Sequence, residues 1–240
     1  MRTAGLVFAL GAVVAAISGA LGYRVRVLPL GPAFLLFGAG ALAAFIAILL
    51  SLLALIVGFA KHSRGDGLGR AALGLVIALV VIAIPLGLFL SRRGSGMAPI
   101  HDITTDTVDP PRFVDVLPLR ADAPNSADYE GGKIAEQQKR AHPDVGPLIV
   151  SSAPDATFDR ALAAADSMGW TLAGSNRQEG RIEATDTTFW FGFQDDVVIR
   201  IRPDGQGSRI DVRSVSRVGG GDLGTNAKRI REFLVEIQRN

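Results

Sequence analysis

The chain has 240 residues, 48% of them hydrophobic, no cysteine and a formal net charge of +2. Without cysteine there is no disulfide, no thiol nucleophile and no cysteine metal site. The charge is unevenly divided: residues 1–97 carry eight Lys or Arg against one acid, Asp66, and residues 98–240 carry 17 against 22, so the basic pI belongs to the apolar N-terminal part and nucleic-acid binding is disfavoured.

Three charge-free runs open the chain, at 4–22, 27–60 and 71–91. A helix needs about 20 apolar residues to cross roughly 30 Å of hydrocarbon, and all three runs meet that. The reading is a membrane region over 1–93, embedded in the lipid bilayer, with helices at about 4–22, 32–60 and 71–90. Pro29, Gly31 and Pro32 delay the second helix to Pro32, and Pro85 kinks the third. The first run also fits a cleaved signal peptide, since Arg2 precedes it. Its length, and Arg24 and Arg26 directly after it, favour a span. No ionisable residue lies inside a span, which argues against an ion or proton pathway. Gly31, Gly38, Gly40, Ala43 and Ala44 fit either a close helix seam or ordinary span composition.

The positive-inside rule is nearly balanced. Arg2, Lys61, Arg64 and Arg70 fall on one side, and Arg24, Arg26, Arg92 and Arg93 on the other. The 61–70 loop is the densest basic cluster. Placing it in the cytoplasm gives an integral protein of a bacterial inner membrane with a periplasmic C-terminal domain.

Residues 94–147 read as a Pro-rich linker or wrapping segment, with seven prolines between 98 and 147. A short helix fits within 131–143. Residues 148–240 read as a soluble α+β domain. Leu148–Val150 starts a strand, and Ser152 is an N-cap candidate for a helix with Phe158, Ala161, Ala165 and Met168 on one face. Gly169 stops that helix. Strands follow at Trp170–Leu172, Arg181–Thr185, Phe189–Phe193 and Val197–Arg202. Pro203–Gly207 is a hairpin turn onto Ile210 and Val212. A last helix carries Leu223, Ala227, Ile230, Leu234 and Ile237 as its stripe. The order predicts an antiparallel sheet with helices packed on one face.

Four places carry candidate chemistry. His101 beside Asp102 can hold a metal or orient a base, but it lacks the further ligands a zinc site wants, and polar side chains tying down the linker explain it as well. Asp195 and Asp196 open a strand, so they point to opposite faces and fit turn and capping roles better than a catalytic pair. Arg213, Ser214, Ser216, Arg217, Asp222, Asn226 and Arg229 form the densest polar cluster. A glycine-rich loop entering a helix there can hold an anion. The competing reading is a structural network in which Asp222 caps the helix and pairs with Arg217 or Arg213. Trp170, Phe189, Trp190, Phe191 and Phe193 read first as core packing, with an apolar ligand cavity as the alternative. No GxSxG, HExxH or SxxK pattern occurs, so no hydrolase nucleophile is named and the catalytic residues are unknown.

The pieces Ile100-His101-Asp102-Ile103-Thr104-Thr105-Asp106 with Pro110-Pro111-Arg112-Phe113, Met168-Gly169-Trp170, Phe193 to Ile201, and Arg213 to Gly219 with Asp222 to Ile230 resemble the DUF1499 family. The resemblance covers roughly 98–240. It implies an exported domain and no assigned catalytic residue, cofactor or metal. The matching polar positions are Asp195, Asp196, Arg213, Ser214, Ser216, Arg217, Asp222, Asn226 and Arg229. The expected function is a membrane-anchored, non-enzymatic module binding an envelope protein or an anionic ligand. The alternative is an envelope enzyme, hydrolytic in kind, using Asp195, Asp196 and the Arg213, Arg217 and Arg229 cluster.

Overall fold

The computed structural model describes residues 3–61, 67–93 and 100–239. It divides into two units, residues 1–91 with the short segment Phe189–Gly192, and residues 92–188 with 193–240.

The first unit holds three helices long and apolar enough to cross a membrane: α1 (Ala4–Arg24), α2 (Leu30–Ala60) and α3 (Gly67–Arg93). Helix α2 starts two residues before the proline expected to open it, with Pro29 as cap. Pro32 then lies in the first turn, where no N–H has an intrahelical partner to lose. Pro85 lies inside α3 and leaves the Val81 carbonyl without its usual donor. Ala9, Ala12, Ala44, Ala47 and Ala78 form the buried seam, while Phe8, Leu35, Leu42, Phe45 and Leu79 face outward. Small residues set the spacing: a Cβ added at Gly40 would stand 2.9 Å from the Ala12 carbonyl oxygen, whereas one at Gly31 or Gly38 would meet nothing within 4 Å. The close approach therefore uses Gly40 and Ala44 from the expected set. Within this unit Phe191 stacks on Phe34 at 5.4 Å and meets Phe37 edge-on at 5.6 Å.

The second unit is an antiparallel sheet of six strands: β1 (Asp102–Thr104), β2 (Leu148–Val150), β3 (Thr171–Asn176), β4 (Arg181–Thr187), β5 (Gln194–Asp204) and β6 (Gly207–Ser216). Their order is β1-β6-β5-β4-β3, and β2 pairs with β6 beside β1. Helices α4 (Gly132–Ala141), α5 (Pro154–Ser167) and α6 (Thr225–Arg239) complete it. Period-two alternation assigns the faces. Ile182, Ala184, Val197, Ile199, Ile201, Ile210 and Val212 form one core with Phe158 and Ala161 of α5 and Ile230 and Phe233 of α6. The other face is not bare. Phe113 and Val116, from the Pro-rich stretch, pack on Val198 and Val215. That stretch also supplies β1, and a short 3-10 turn at Leu117–Arg120. Hairpin β5–β6 turns at Gly205-Gln206, and Gly205 takes φ +57°, a backbone only glycine adopts without strain.

Two local expectations fail. Helix α5 is capped at Ala153 without a side-chain bond, because the Ser152 hydroxyl meets Thr157 Oγ1 at 2.8 Å instead. The aromatic group is not one core cluster. Trp170 is buried and stacks on Phe233 at 5.3 Å. Phe189 and Trp190 fall outside any strand, in the β4–β5 connection, and are 75% and 61% exposed.

Candidate functional site

Strands β4, β5 and β6 place Asp186, Asp195 and Ser216 in one row across the sheet, and Thr185, Asp196 and Val215 in the next. Adjacent rows face opposite ways. The polar residues that cluster in sequence are thereby divided into two networks on two faces.

On the helix face the centre is Arg229 of α6. Its Nε donates to Asp186 Oδ2 at 2.7 Å and its Nη2 to Asp195 Oδ2 at 2.6 Å. Its Nη1 donates to Ser214 Oγ at 3.0 Å and Asn226 Oδ1 at 2.6 Å. Asn226 in turn donates to Ser216 Oγ at 2.9 Å and to the His101 carbonyl at 3.1 Å. Burial disfavours the Arg229 charge, but Asp195 and Asp186 outweigh it and raise its pKa. The helix stripe has turned one guanidinium into the tie between α6 and three strands, β4, β5 and β6.

On the other face the centre is Asp196, fully buried. Arg217 grips it with Nε at 2.9 Å and Nη2 at 2.8 Å, Arg120 adds Nη1 at 2.5 Å, and the Thr185 hydroxyl donates at 2.6 Å. Burial alone would raise the Asp196 carboxyl; the bonds from Arg217 and Thr185 and the charge of Arg217, with Arg120 behind them, hold it below the ordinary carboxylate range. Beside it Arg213 makes a forked pair with Asp102, at 3.0 and 2.7 Å. The guanidinium carbon of Arg213 lies 5.2 Å from the Phe113 ring centre and 5.4 Å from that of Tyr129. Burial raises the Asp102 carboxyl despite that pair.

These arginines also hold the irregular cover in place. Arg213 donates to the carbonyls of Pro111 and Ala127, Arg217 to Leu119, and Arg120 to Asn125. Glu183, fully buried, accepts from the Val114 and Val116 N–H groups at 2.8 and 3.0 Å. A Pro-rich segment has few backbone partners of its own, and buried charges on the sheet supply them.

Asp222 caps α6, as its position between the glycine-rich turn Gly219–Gly221 and the helix implies. Its two oxygens accept from the N–H groups of Gly224 at 2.8 Å and Asn226 at 2.7 Å. Burial raises its pKa. The expected pairing with Arg217 or Arg213 does not form, because those arginines are spent on Asp196 and Asp102 across the sheet. Asp195 and Asp196 do lie on opposite faces, but as buried partners of arginine, not as turn or capping residues. Asp102 is likewise committed to Arg213, and no group of three His, Asp or Glu able to hold a metal occurs among the described residues.

Sequence reasoning missed Asp186, Thr185, Glu183 and Arg120. The first three are legible in the alternation of β4, where Glu183 and Thr185 share a face that Ile182 and Ala184 do not. Arg120 carries no local signal, since its partner lies 76 residues away.

A separate shallow cleft of ≈ 260 Å³ opens on the charged face, lined by Asp109, Pro111, Arg112, Val114, Glu179, Arg181, Val198 and Arg200. Neither Asp195 nor Asp196 reaches it. Arg200 and Arg181 are partly neutralised there by Asp109, Asp211, Glu179 and Glu183. Arg112 is exposed and makes no ion pair shorter than 4.0 Å among the described residues.

Residues 102–237 match the family model described as "Protein of unknown function (DUF1499)". None of the curated proteins matches the chain. The family match spans more than half of the 240 residues, and the chain belongs to the DUF1499 family.

Proposed function

We propose that this DUF1499 protein is a membrane-anchored, non-enzymatic module whose rigid C-terminal domain faces the periplasm from a bacterial inner membrane and binds an anionic ligand or an acidic segment of an envelope protein. The observation that carries the reading is the fate of the two adjacent carboxylates. Asp195 and Asp196 are 4% and 0% exposed, on opposite faces, each held by arginine. A general acid–base pair needs two carboxyl groups converging on one accessible space. Buried ion pairs on opposite faces serve instead to fix strands, helix and cover. An exposed cation with no ion pair among the described residues stands instead at the rim of the cleft, Arg112, where a single anionic group fits better than a large substrate. The basic 61–70 loop supports the cytoplasmic assignment of that loop, and three crossings then carry the domain outside.

Native mass spectrometry of the full chain released from nanodiscs tests the binding half. A co-purified anionic adduct that Arg112→Ala removes is the expected result. Turnover of an ester or phosphoester panel, abolished by both Asp195→Asn and Asp196→Asn in folded protein, would overturn it. Phosphatase and fluorescent-protein fusions after the last residue test the orientation. An active phosphatase fusion is expected, and a fluorescent cytoplasmic fusion would reverse the assignment.

A further inference from the structure

We propose that the β4–β5 connection is an aromatic anchor that seats in the lipid headgroup region of the membrane holding the chain's own helices. Three observations carry this. The first is exposure: Phe189 and Trp190 present their rings outward, 75% and 61% exposed, and meet edge-on at 5.3 Å. Two large adjacent aromatics at the tip of a hairpin are costly to leave in water and are the residue types that settle at a bilayer interface. The second is preorganisation. Thr188 N–H donates to the Phe193 carbonyl at 2.8 Å, Phe193 N–H donates to Thr188 Oγ1 at 2.9 Å, and Gly192 turns the chain at φ +69°. The loop is closed on itself and holds the rings out.

The third is proximity to the bilayer. Three crossings put the turn between α1 and α2 and everything after α3 on the same side of the membrane, whichever side that is. From Arg93 to Asp102 the chain is nine residues long, a reach of about 30 Å at most at roughly 3.5 Å per residue. The tip segment Phe189–Gly192 groups with the first unit, and its Phe191 packs on Phe34 and Phe37 in the opening turns of α2. Those turns mark the level at which a spanning helix enters the headgroups. The proposal holds for either orientation of the domain, so it stands or falls separately from the function proposed above.

The absence of native cysteine makes a single-site probe clean. The full chain carrying Phe189→Cys or Val108→Cys is spin-labelled and reconstituted in vesicles of phosphatidylethanolamine and phosphatidylglycerol. Val108 is 90% exposed and serves as the aqueous reference. Relaxation by oxygen should exceed relaxation by a water-soluble nickel chelate at position 189, and the order should reverse at 108. In unlabelled protein, acyl-chain bromination should quench part of the tryptophan emission, and Trp190→Phe should remove that part while buried Trp170 keeps the remainder. Nickel accessibility at 189 equal to that at 108 overturns the proposal, as does quenching of Trp190 by aqueous iodide in place of bromolipid. A label at 189 shielded from both oxygen and nickel overturns it equally, because the tip is then covered by protein.

Discussion

Asp195 and Asp196 are neighbours in the chain and opposites in the fold: Arg229 holds the first under α6, and Arg217 holds the second on the other face of the same strand. A motif rich in Arg, Ser, Asp and Asn reads as one site when only sequence distance is considered. The strand period separates it into two bracing networks, and a different set of mutational couplings follows.

Asp222→Ala should destabilise the protein by about 1–2 kcal/mol, the usual loss for a helix cap. Its effect should add to that of Arg217→Ala within about 0.5 kcal/mol, because the two side chains share no direct bond. Arg217→Ala and Asp196→Ala, by contrast, should be strongly non-additive. Breaking one side of a buried pair costs about 3–5 kcal/mol, and Arg120 remaining on Asp196 puts Arg217→Ala near the low end. Chemical denaturation of the three single and two double variants checks this. Coupling between Asp222 and Arg217 would mean that the helix cap and the Asp196 network move together.

The Asp102–Arg213 pair offers a sharper contrast between a ligand site and a brace. Arg213→Lys keeps the charge but loses the fork and the two ring faces, so it should still cost about 2 kcal/mol or more. Zinc added to the wild type should leave the melting temperature unchanged, as Asp102 has no free oxygen to offer beside His101. A zinc-dependent rise that Asp102→Asn removes would restore the metal reading.

How much of this was legible follows from range. Most helical and strand periods, Gly169, the Gly205 turn and the Asp222 cap are local signals that appear where the sequence places them, but Leu223, expected on the last helix's stripe, lies ahead of α6 at φ +54° and is exposed. The aromatic run at Phe189–Phe193 misled because alternation and aromaticity fit a strand. Residues 189–191 instead sit in the connection before β5, and Gly192 at positive φ ends the resemblance to a strand. The cover over the second face was hidden for a different reason. Its bonds to Glu183, Arg213 and Arg217 span 67 to 102 residues, and no periodicity encodes a partner that far away.

Acid should weaken the domain through its lowered carboxyls. Asp144, bonded by Arg231 at 2.5 and 2.8 Å, has its carboxyl brought down to about 2 from 3.8. A carboxyl lowered on folding binds its proton less readily in the folded state, so its contribution is present above pH 3.8 and is lost as pH falls toward 2. Asp196 acts with the same sign, and the raised carboxyls of Asp102 and Asp222 act against it. Asp144→Asn should therefore flatten the fall of melting temperature between pH 4 and pH 2, because the variant starts slightly below the wild type at pH 7 and converges on it near pH 2. An unchanged acid slope would show that the exposed pair is screened to nothing in solution.

The last prediction concerns the membrane helices, where two glycines two residues apart should respond in opposite directions. Gly40 stands against α1: a Cβ there would lie 2.9 Å from the Ala12 carbonyl oxygen and 3.1 Å from the Ala16 nitrogen. Both are backbone atoms of a helix and cannot swing aside. Gly38 meets nothing within 4 Å. An alanine at Gly38 should be neutral or stabilising by up to about 1 kcal/mol, the difference in helix propensity. The same change at Gly40 should cost about 1–3 kcal/mol, because α1 and α2 must separate to admit it. Thermal unfolding of both variants in matched detergent reads the difference directly. Without a hydrophobic driving force between helices in lipid, close backbone approach is what holds such a seam. Equal responses at the two positions would place the α1–α2 contact elsewhere along the helices.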